Sequence, residues 1–274
     1  MNARIVEIDN DSYHSDKSRF SSSTLKDLDR SPAHYWSKNR DPNRGEKDQK
    51  KAFVIGSLFH CCLLEPSQVA HRYVSIPDGV DLRTKQGKEL FADIQSKHMG
   101  KEIVKELDIA QCQHMAIAAR SHVLGPLFDV PQGMVETSVY SDDIVHVKIR
   151  MDYHLPPCEE FPNGIIIDPK STEDARSFER DAFNYKYHIQ AGLYVRVYEA
   201  FYGVRPPFYF LAVEKEEPHG VIAYPCSEDY LARGEARAVE LMELARECES
   251  TGVWPNYTET IKELNLPKWA KDLV

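Results

Sequence analysis

The spacing of hydrophobic and polar positions changes about half-way along the chain. In the first half, apolar residues mostly recur at helical spacing, and in "SSSTLKDLDR" a serine stands where a helix N-cap is expected. Pro32 is placed to begin a second helix. The segment "KAFVIGSLFHCCLLEP" is apolar on almost every face, which predicts a buried helix that ends before Pro66. Residues 85–122 continue the helical periodicity.

The second half contains alternating patterns that predict strands. "MVETSVYSDDIVHVKIRMDYHL" predicts two strands joined near Asp142, and "GIIIDPK" predicts a short buried strand. "SFERDAFNYKYHIQAGLYVRVYEAFYG" predicts one long helix ending at Gly203, with a hairpin and an amphipathic helix after it. The polar residues 40–50 predict a loop. The order predicts an α/β or α+β core preceded by a helical part.

Composition adds little beyond a globular class. The 274 residues are 42% hydrophobic and 28% charged, and this length permits one large domain or two small ones. No apolar run approaches the ~18 residues of a membrane span, and the start lacks a secretory layout, so we expect a cytoplasmic protein. The net charge of -9 argues against indiscriminate nucleic-acid binding, but a nuclease with a local basic channel stays possible.

Cysteine spacing and phosphate-binding motifs exclude two kinds of site. The six cysteines are scattered, with no C-x-x-C pair, and are Cys61, Cys62, Cys112, Cys158, Cys226 and Cys248. Free thiols are therefore expected rather than a zinc knuckle or an iron–sulfur cluster. No G-x-x-x-x-G-K-[ST] loop occurs, so ATP is not an expected cofactor.

Charged residues interrupt the strand "GIIIDPK" at its end. Asp168 and Lys170 are two apart and so share one strand face, while Pro169 lacks a backbone donor and belongs near the end of the ladder. If the preceding strand is a neighbour, Asp152 joins them. Carboxylates are ligands that Mg²⁺ prefers, and a lysine beside them can orient or help to deprotonate a water attacking a phosphodiester. The alternative is an ordinary surface ion pair.

Other polar residues stand in predicted elements before and after this strand. His60 lies in the apolar helix one turn after Gly56, which permits close backbone approach; a satisfied core histidine is the alternative. Glu136 lies in the first predicted strand, where a solvated face is the alternative. Gln190 and Tyr194 share one face of the long helix, where an aromatic residue often belongs to the core.

Four segments in this order carry a resemblance to a known family. "GSLFHCCLLEP", "KIRMDYHL", "IIIDPKST" and "YHIQAGLY" resemble the RecB-like branch of the PD-(D/E)XK nucleases: a helical His, a strand Asp, Asp-x-Lys on the next strand, and Gln-x-x-x-Tyr on a helix. The opening "YHSDKSRFSSSTLKDLDRSPAHYW" and the "STGVWPNY" segment look closer still to the phage-type exodeoxyribonuclease VIII (RecE) nuclease domain. Four motifs in the correct order are more specific than any one of them.

The resemblance implies three overlapping groups of site residues. The metal-binding group is His60, Asp152, Asp168 and the carbonyl of Pro169. The catalytic group is Lys170, Asp168, Asp152 and, in a supporting role, Glu136. The group that contacts DNA or braces the site is Gln190, Tyr194, Ser23 and Arg19.

The resemblance also implies a fold: one nuclease domain over residues 1–274, with a central mixed sheet flanked by helices. Residues 1–125 would be a mainly helical part carrying His60, and residues 126–274 the α/β catalytic core. Both aspartates and the lysine are intact in this chain, so no departure from the catalytic pattern is evident.

The activity that the resemblance implies is hydrolysis of linear double-stranded DNA from its ends, 5′ to 3′, leaving 3′ single strands for recombination. Mg²⁺ would be the cofactor, with Mn²⁺ able to substitute. The implied partners are DNA ends, further copies of the chain in a trimeric or tetrameric ring, and a single-strand annealing protein. Two alternatives are an endonuclease on the same core and a catalytically silent DNA- or protein-binding module.

Overall fold

The structure, a computed structural model, describes residues 2–44, 51–257, 261 and 263–265, so the predicted loop 40–50 lies partly outside the described residues. The strands are β1 (Asn2–Val6), β2 (Tyr73–Ile76), β3 (Glu102–Lys105), β4 (Met134–Asp142), β5 (His146–Leu155), β6 (Ile165–Thr172), β7 (Phe208–Glu214) and β8 (Val221–Pro225). The α-helices are α1 (Asn10–Ser15), α2 (Ser22–Arg30), α3 (Pro32–Asn39), α4 (Lys51–Leu64), α5 (Val69–Arg72), α6 (Lys85–Lys97), α7 (Glu106–Ser121), α8 (Phe178–Asn184), α9 (Tyr187–Tyr202) and α10 (Glu228–Thr251).

Six of these strands form the main sheet, in the order β1-β4-β5-β6-β7-β8. Every neighbouring pair is antiparallel except β6 and β7, which run parallel and are joined through α8 and α9. The remaining strands, β2 and β3, form a separate parallel pair. The prediction of a central mixed sheet flanked by helices is confirmed.

Helices cover both faces of the main sheet and create two hydrophobic cores. One core lies between the sheet and the helices α2, α3, α9 and α10, and the other lies between the sheet and α4 with α7. Side chains of β6 alternate between them, because Ile166 belongs to the first core while Ile165 and Ile167 belong to the second. A strand covered on both faces reads as a continuous apolar run, which explains the three isoleucines.

Local sequence signals explain several helix ends. The Ser21 side chain accepts a hydrogen bond from the Thr24 backbone in a capping box at the start of α2. Pro32 occupies the first turn of α3, and Gly203 ends α9 with a φ of 75°. The predictions of these three boundaries are confirmed. None of the helices in the described ranges is long and apolar enough to cross a membrane.

Three expectations about the elements were wrong or incomplete. The single long helix predicted up to Gly203 is broken between α8 and α9, where Lys186 has a φ of 54°. Neither glycine nor proline marks the break, so no local residue signal indicated it. Ile103 lies in β3 rather than in a helix. The edge strand β1, which pairs with β4 from Asn2 to Val6, was not predicted.

Helices α9 and α10 pack with unusually close backbones. A Cβ atom at Gly192 would collide with the backbone at Gly234 and Glu235, and one at Gly234 would collide with the His188 carbonyl. Only glycine fits at both positions. This close contact holds α9 in place, and with it the side chain of Gln190.

One pH effect on stability follows from a histidine buried beneath α9. Burial lowers the pKa of His154 to about 4, while its Nε2 lies 3.0 Å from the Tyr202 hydroxyl. Since the unfolded chain takes up a proton near pH 6.5, we expect the free energy of unfolding to fall by up to about 3 kcal/mol between pH 6.5 and 4. Chemical denaturation across this pH range measures the effect.

The matched comparison uses two histidine-to-glutamine variants. His154→Gln keeps a hydrogen-bonding side chain without a titratable ring, so its unfolding free energy should change less with pH than that of the parent. His71→Gln, at an exposed position, should follow the parent. Equal pH dependence of the parent and His154→Gln would contradict the assignment.

Candidate active site

One buried and one half-buried carboxyl group lie where β5 and β6 separate. The two strands pair over three residues each, and the last pair is Tyr153 opposite Ile167. Asp152 and Asp168 are the next residues on the two strands, beyond the ladder. The site is therefore formed by strands that are held together on one side of it and diverge on the other.

Asp168 is 1% exposed and engaged at both oxygens. The Lys170 ammonium contacts Oδ1, as expected for residues two apart on one strand face, and the same Nζ lies 4.0 Å from Asp152 Oδ2. Gln190 on α9 donates from Nε2 to the Asp168 Oδ2 atom at 2.5 Å. The carboxylate of this pair is thus buried and its ammonium is half-buried, so the pair is not an ordinary surface ion pair.

His60 on α4 approaches the carboxylates from the opposite layer. Its Nε2 lies 2.9 Å from the Pro169 carbonyl oxygen, and because a carbonyl only accepts, Nε2 is the protonated nitrogen. Its Nδ1 then carries the lone pair and lies 3.5 Å from Asp152 Oδ2. A proton or a cation between these two atoms would remove the repulsion of their lone pairs. A Cβ at Gly56 would meet nothing within 4 Å, so the expected close approach at that glycine was wrong.

Glu136 on β4 completes a group of metal-binding side chains. One ligand atom from each of His60, Glu136 and Asp152 lies within 4.8 Å of the other two. Glu136 has a φ of 48°, a left-handed conformation that is rare for a residue with a side chain. Its Oε2 accepts a hydrogen bond of 2.7 Å from Arg150 Nε. The Glu136 carboxylate therefore lies beside Arg150 as well as beside His60 and Asp152.

The match to a family model shows which family the chain belongs to. The model for the "PDDEXK-like domain of unknown function (DUF3799)" matches residues 21–267. This match spans most of the chain and every residue of the site described above. The chain belongs to the PDDEXK-like domain family. No curated protein matches it.

A solved structure supports the same fold for this PDDEXK-like domain. The chain is similar to a protein from Eubacterium rectale whose crystal structure is described as that of a candidate exonuclease, with a TM-score of 0.64. The two are 16% identical in sequence, and the similarity covers 98% of each chain. At this identity the likeness shows the fold, and family membership supports a nuclease function.

Electrostatics in the PDDEXK-like site favour a bound cation. Burial and the neighbouring charge of Asp168 raise the pKa of Asp152 well above its usual range. Burial and the Lys170 charge lower the pKa of His60, which keeps the imidazole neutral. Burial alone would lower the pKa of Lys170, but Asp168 and Asp152 outweigh it and raise that pKa. The ammonium therefore stays charged at neutral pH.

The donor set suits a divalent metal ion. The carboxylates of Glu136 and Asp152 and the neutral imidazole of His60 face one another, and such oxygen-rich sets hold Mg²⁺ or Mn²⁺. PDDEXK nucleases depend on divalent metals, and the residues present fit that requirement. The Pro169 carbonyl orients His60 in the way that outer partners orient metal-binding histidines.

Helix α9 supports the site through two side chains predicted to do so or to contact DNA. Gln190 holds Asp168 and accepts, at Oε1, a 3.4 Å hydrogen bond from Lys26 Nζ. Tyr194 is 6% exposed; burial raises its pKa, and its hydroxyl hydrogen-bonds with Ser22 on α2. Both side chains therefore join α9 to the site or to α2.

Two further predicted residues lie away from the carboxylates. Arg19 pairs with Asp142 at 3.0 Å, and its guanidinium lies 4.8 Å from the centre of the Tyr140 ring. Ser23 is exposed at the start of α2, where its hydroxyl lies 2.9 Å from that of Ser21. The structure does not bring either side chain into contact with the catalytic group.

The sequence reasoning missed a lysine and a tyrosine beside the site. Lys26 on α2 lies 4.8 Å from the centre of the Tyr187 ring, and Lys170 lies 5.3 Å from the same ring. Burial and the charge of Lys170 lower the pKa of Lys26 to about 7. Tyr187 precedes Gln190 by three residues on α9, so helical spacing could have found it. No sequence signal linked Lys26 to a site about 140 residues further along the chain.

Proposed function

We propose that this protein is a divalent-metal-dependent deoxyribonuclease that degrades linear double-stranded DNA from its ends. The observation that carries the proposal is the convergence of Asp152, Asp168 and Lys170 where β5 and β6 part. His60 and Glu136 add two metal-binding groups on the same side. Family membership supports the same class of reaction.

The metal-binding role falls to His60, Glu136 and Asp152, with Asp168 and the Pro169 carbonyl oxygen as additional donors. A bound divalent cation would neutralise charge on the scissile phosphate and make a coordinated water more acidic. His60 is suited to binding because its Nδ1 lone pair already faces Asp152. Asp152 is suited to metal binding because burial and the neighbouring Asp168 charge disfavour its ionised form, and a bound cation would stabilise that form.

Lys170 acts as a charged donor in this proposal. Its pKa is raised, so at neutral pH it does not accept a proton from water. The ammonium instead orients the attacking water or the phosphate oxygen and stabilises negative charge in the transition state. Asp168 and Gln190 hold the ammonium and carboxylate in place. In this proposal the catalytic lysine therefore serves as an electrostatic group.

The finer parts of the proposal come from the resemblance to exodeoxyribonuclease VIII nuclease domains. We propose 5′ to 3′ digestion with Mg²⁺, replaceable by Mn²⁺, that leaves 3′ single strands for recombination. A ring of three or four copies would fit processive digestion, and a single-strand annealing protein would be its partner. With a net charge of -9, the chain needs bound metal and local cations to hold a polyanion.

One digestion experiment separates the proposed exonuclease from its alternatives. Linear duplexes labelled at the 5′ or the 3′ end and a covalently closed circle of the same sequence are incubated with Mg²⁺. We expect early release of the 5′ label as mononucleotides, later release of the 3′ label, and an intact circle. Cleavage of the circle would establish an endonuclease. DNA binding without hydrolysis in Mg²⁺ or Mn²⁺ would establish a silent binding module.

A further inference from the structure

A second group of metal-binding side chains lies outside the candidate active site. It comprises His114 on α7 with Glu217 and His219 in the turn between β7 and β8, and one ligand atom from each lies within 4.8 Å of the other two. The active-site ligands come instead from α4, β4, β5 and β6. The second group therefore shares no ligand with the first.

His219 is oriented before any metal binds. The side chain is 7% exposed, and its Nδ1 lies 3.1 Å from the Glu214 carbonyl oxygen. Since a carbonyl only accepts, Nδ1 is protonated and Nε2 carries the lone pair, which is the tautomer that metal-binding histidines adopt when a backbone carbonyl fixes them. His219 also has a φ of 59°, a conformation rarely kept by a residue with a side chain unless its surroundings hold it.

The turn that carries Glu217 and His219 is fixed to α7. Gln111 donates from Nε2 to the Lys215 carbonyl oxygen at 2.8 Å, and it lies one helical turn before His114 on the same face. The rings of His114 and His219 have centroids 6.2 Å apart. A helix and a turn held together in this way present their ligands to one point.

The three ligands need only side-chain rotation to close on a metal ion. Tetrahedral Zn²⁺ with bonds of about 2.0 Å holds its ligand atoms about 3.3 Å apart, so any of these atoms that now lie nearer to the 4.8 Å limit would move closer together on binding. His114 and Glu217 are exposed and free to change rotamer, while the buried His219 provides the fixed position. The closure therefore requires no movement of the sheet.

The donor set identifies the class of metal. Two imidazoles and one carboxylate are ligands of Zn²⁺ and similar transition metals, whereas Mg²⁺ prefers oxygen alone. We propose that His114, Glu217 and His219 bind one zinc ion, with water as the fourth ligand, and that this ion ties α7 to the β7–β8 turn. The proposal is independent of the nuclease activity.

Zinc binding to the full chain tests the proposal. Calorimetric titration with Zn²⁺ in excess Mg²⁺ compares the parent with His114→Ala, Glu217→Gln and the exposed control His71→Ala. We expect at least a tenfold loss of zinc affinity in the first two variants and none in the control. Unchanged affinity in both ligand variants would overturn the proposal.

Two further measurements exclude the active site and a folding defect. Asp152→Asn, which alters the candidate active site, should keep the zinc affinity of the parent; loss of binding there would overturn the proposal. Zn²⁺ should raise the unfolding temperature of the parent by more than that of Glu217→Gln. Because Glu217 is exposed, this variant should melt with the parent in the absence of zinc, and equal stabilisation of both by zinc would also overturn the proposal.

Discussion

Replacing Lys170 with methionine is expected to reduce DNA hydrolysis at least about 100-fold, since a positioned group that stabilises charge or transfers protons contributes on this scale. The aliphatic stem of methionine fills a similar space, so packing against the Tyr187 ring should persist. Initial rates on end-labelled linear duplex in Mg²⁺ measure the effect. Lys85→Met, at a 90% exposed side chain on α6, is the matched control and should hydrolyse DNA at the parent rate.

Stability and activity separate in this experiment because the lysine neutralises a buried carboxylate. Lys170→Met leaves Asp168 without its cation, which we expect to cost about 3–5 kcal/mol of unfolding free energy. The double variant Lys170→Met, Asp168→Asn removes both charges and should recover most of that stability without recovering hydrolysis. Restored activity in the double variant, or parent-like activity in Lys170→Met, would contradict the catalytic role.

The second large effect concerns metal-dependent stability. Mg²⁺ or Mn²⁺ at 100 times its dissociation constant should raise the unfolding free energy of the parent by about 2.7 kcal/mol, and Asp152→Asn should abolish both this gain and hydrolysis. Asp11→Asn, at an exposed position in α1, is the control and should be stabilised like the parent. Thermal unfolding with chelator and with metal measures both variants.

The same variant has an opposite effect without metal, and the sign follows from the raised pKa of Asp152. A carboxyl group whose folded-state pKa is raised reduces stability as pH rises above its unfolded-state value of about 3.9. Asparagine removes that loss, so Asp152→Asn should melt at a higher temperature than the parent in chelator near neutral pH. A lower melting temperature there would show that the Asp152 carboxylate is already balanced without a cation.

Strand residues of the site were more predictable than the contacts between layers. Asp168 and Lys170 followed from the period of two along β6, and their burial follows from helices on both faces of the sheet. The position of the Glu136 side chain depends on a left-handed φ within a strand. Glutamate has no preference for this conformation, so the sequence could not predict it. Lys26 reaches the site only because α2 packs beside α9, a contact between segments far apart in sequence.

The break between α8 and α9 shows why hydrophobic periodicity alone did not predict the start of α9. Lys186 occupies a left-handed conformation while its ammonium pairs with Asp29 on α2. The apolar repeat runs across the break, so periodicity predicted one helix. The break sets where α9 begins, and Gln190 lies in its first turn. The ion pair between Lys186 and Asp29 thus lies at the start of α9, and the start of α9 determines the position of Gln190.

The short β5–β6 ladder has a consequence for how this family can vary. The distance between Asp152 and Asp168 is fixed by the register of three residue pairs, and the connection 156–164 lies at the other end of that ladder. Insertions in this connection leave the register untouched, whereas a slip of one residue in either strand would send one carboxylate to the opposite face. The fold therefore tolerates a longer connection, whereas the paired strand segments on either side of it, residues 153–155 and 165–167, must keep their lengths.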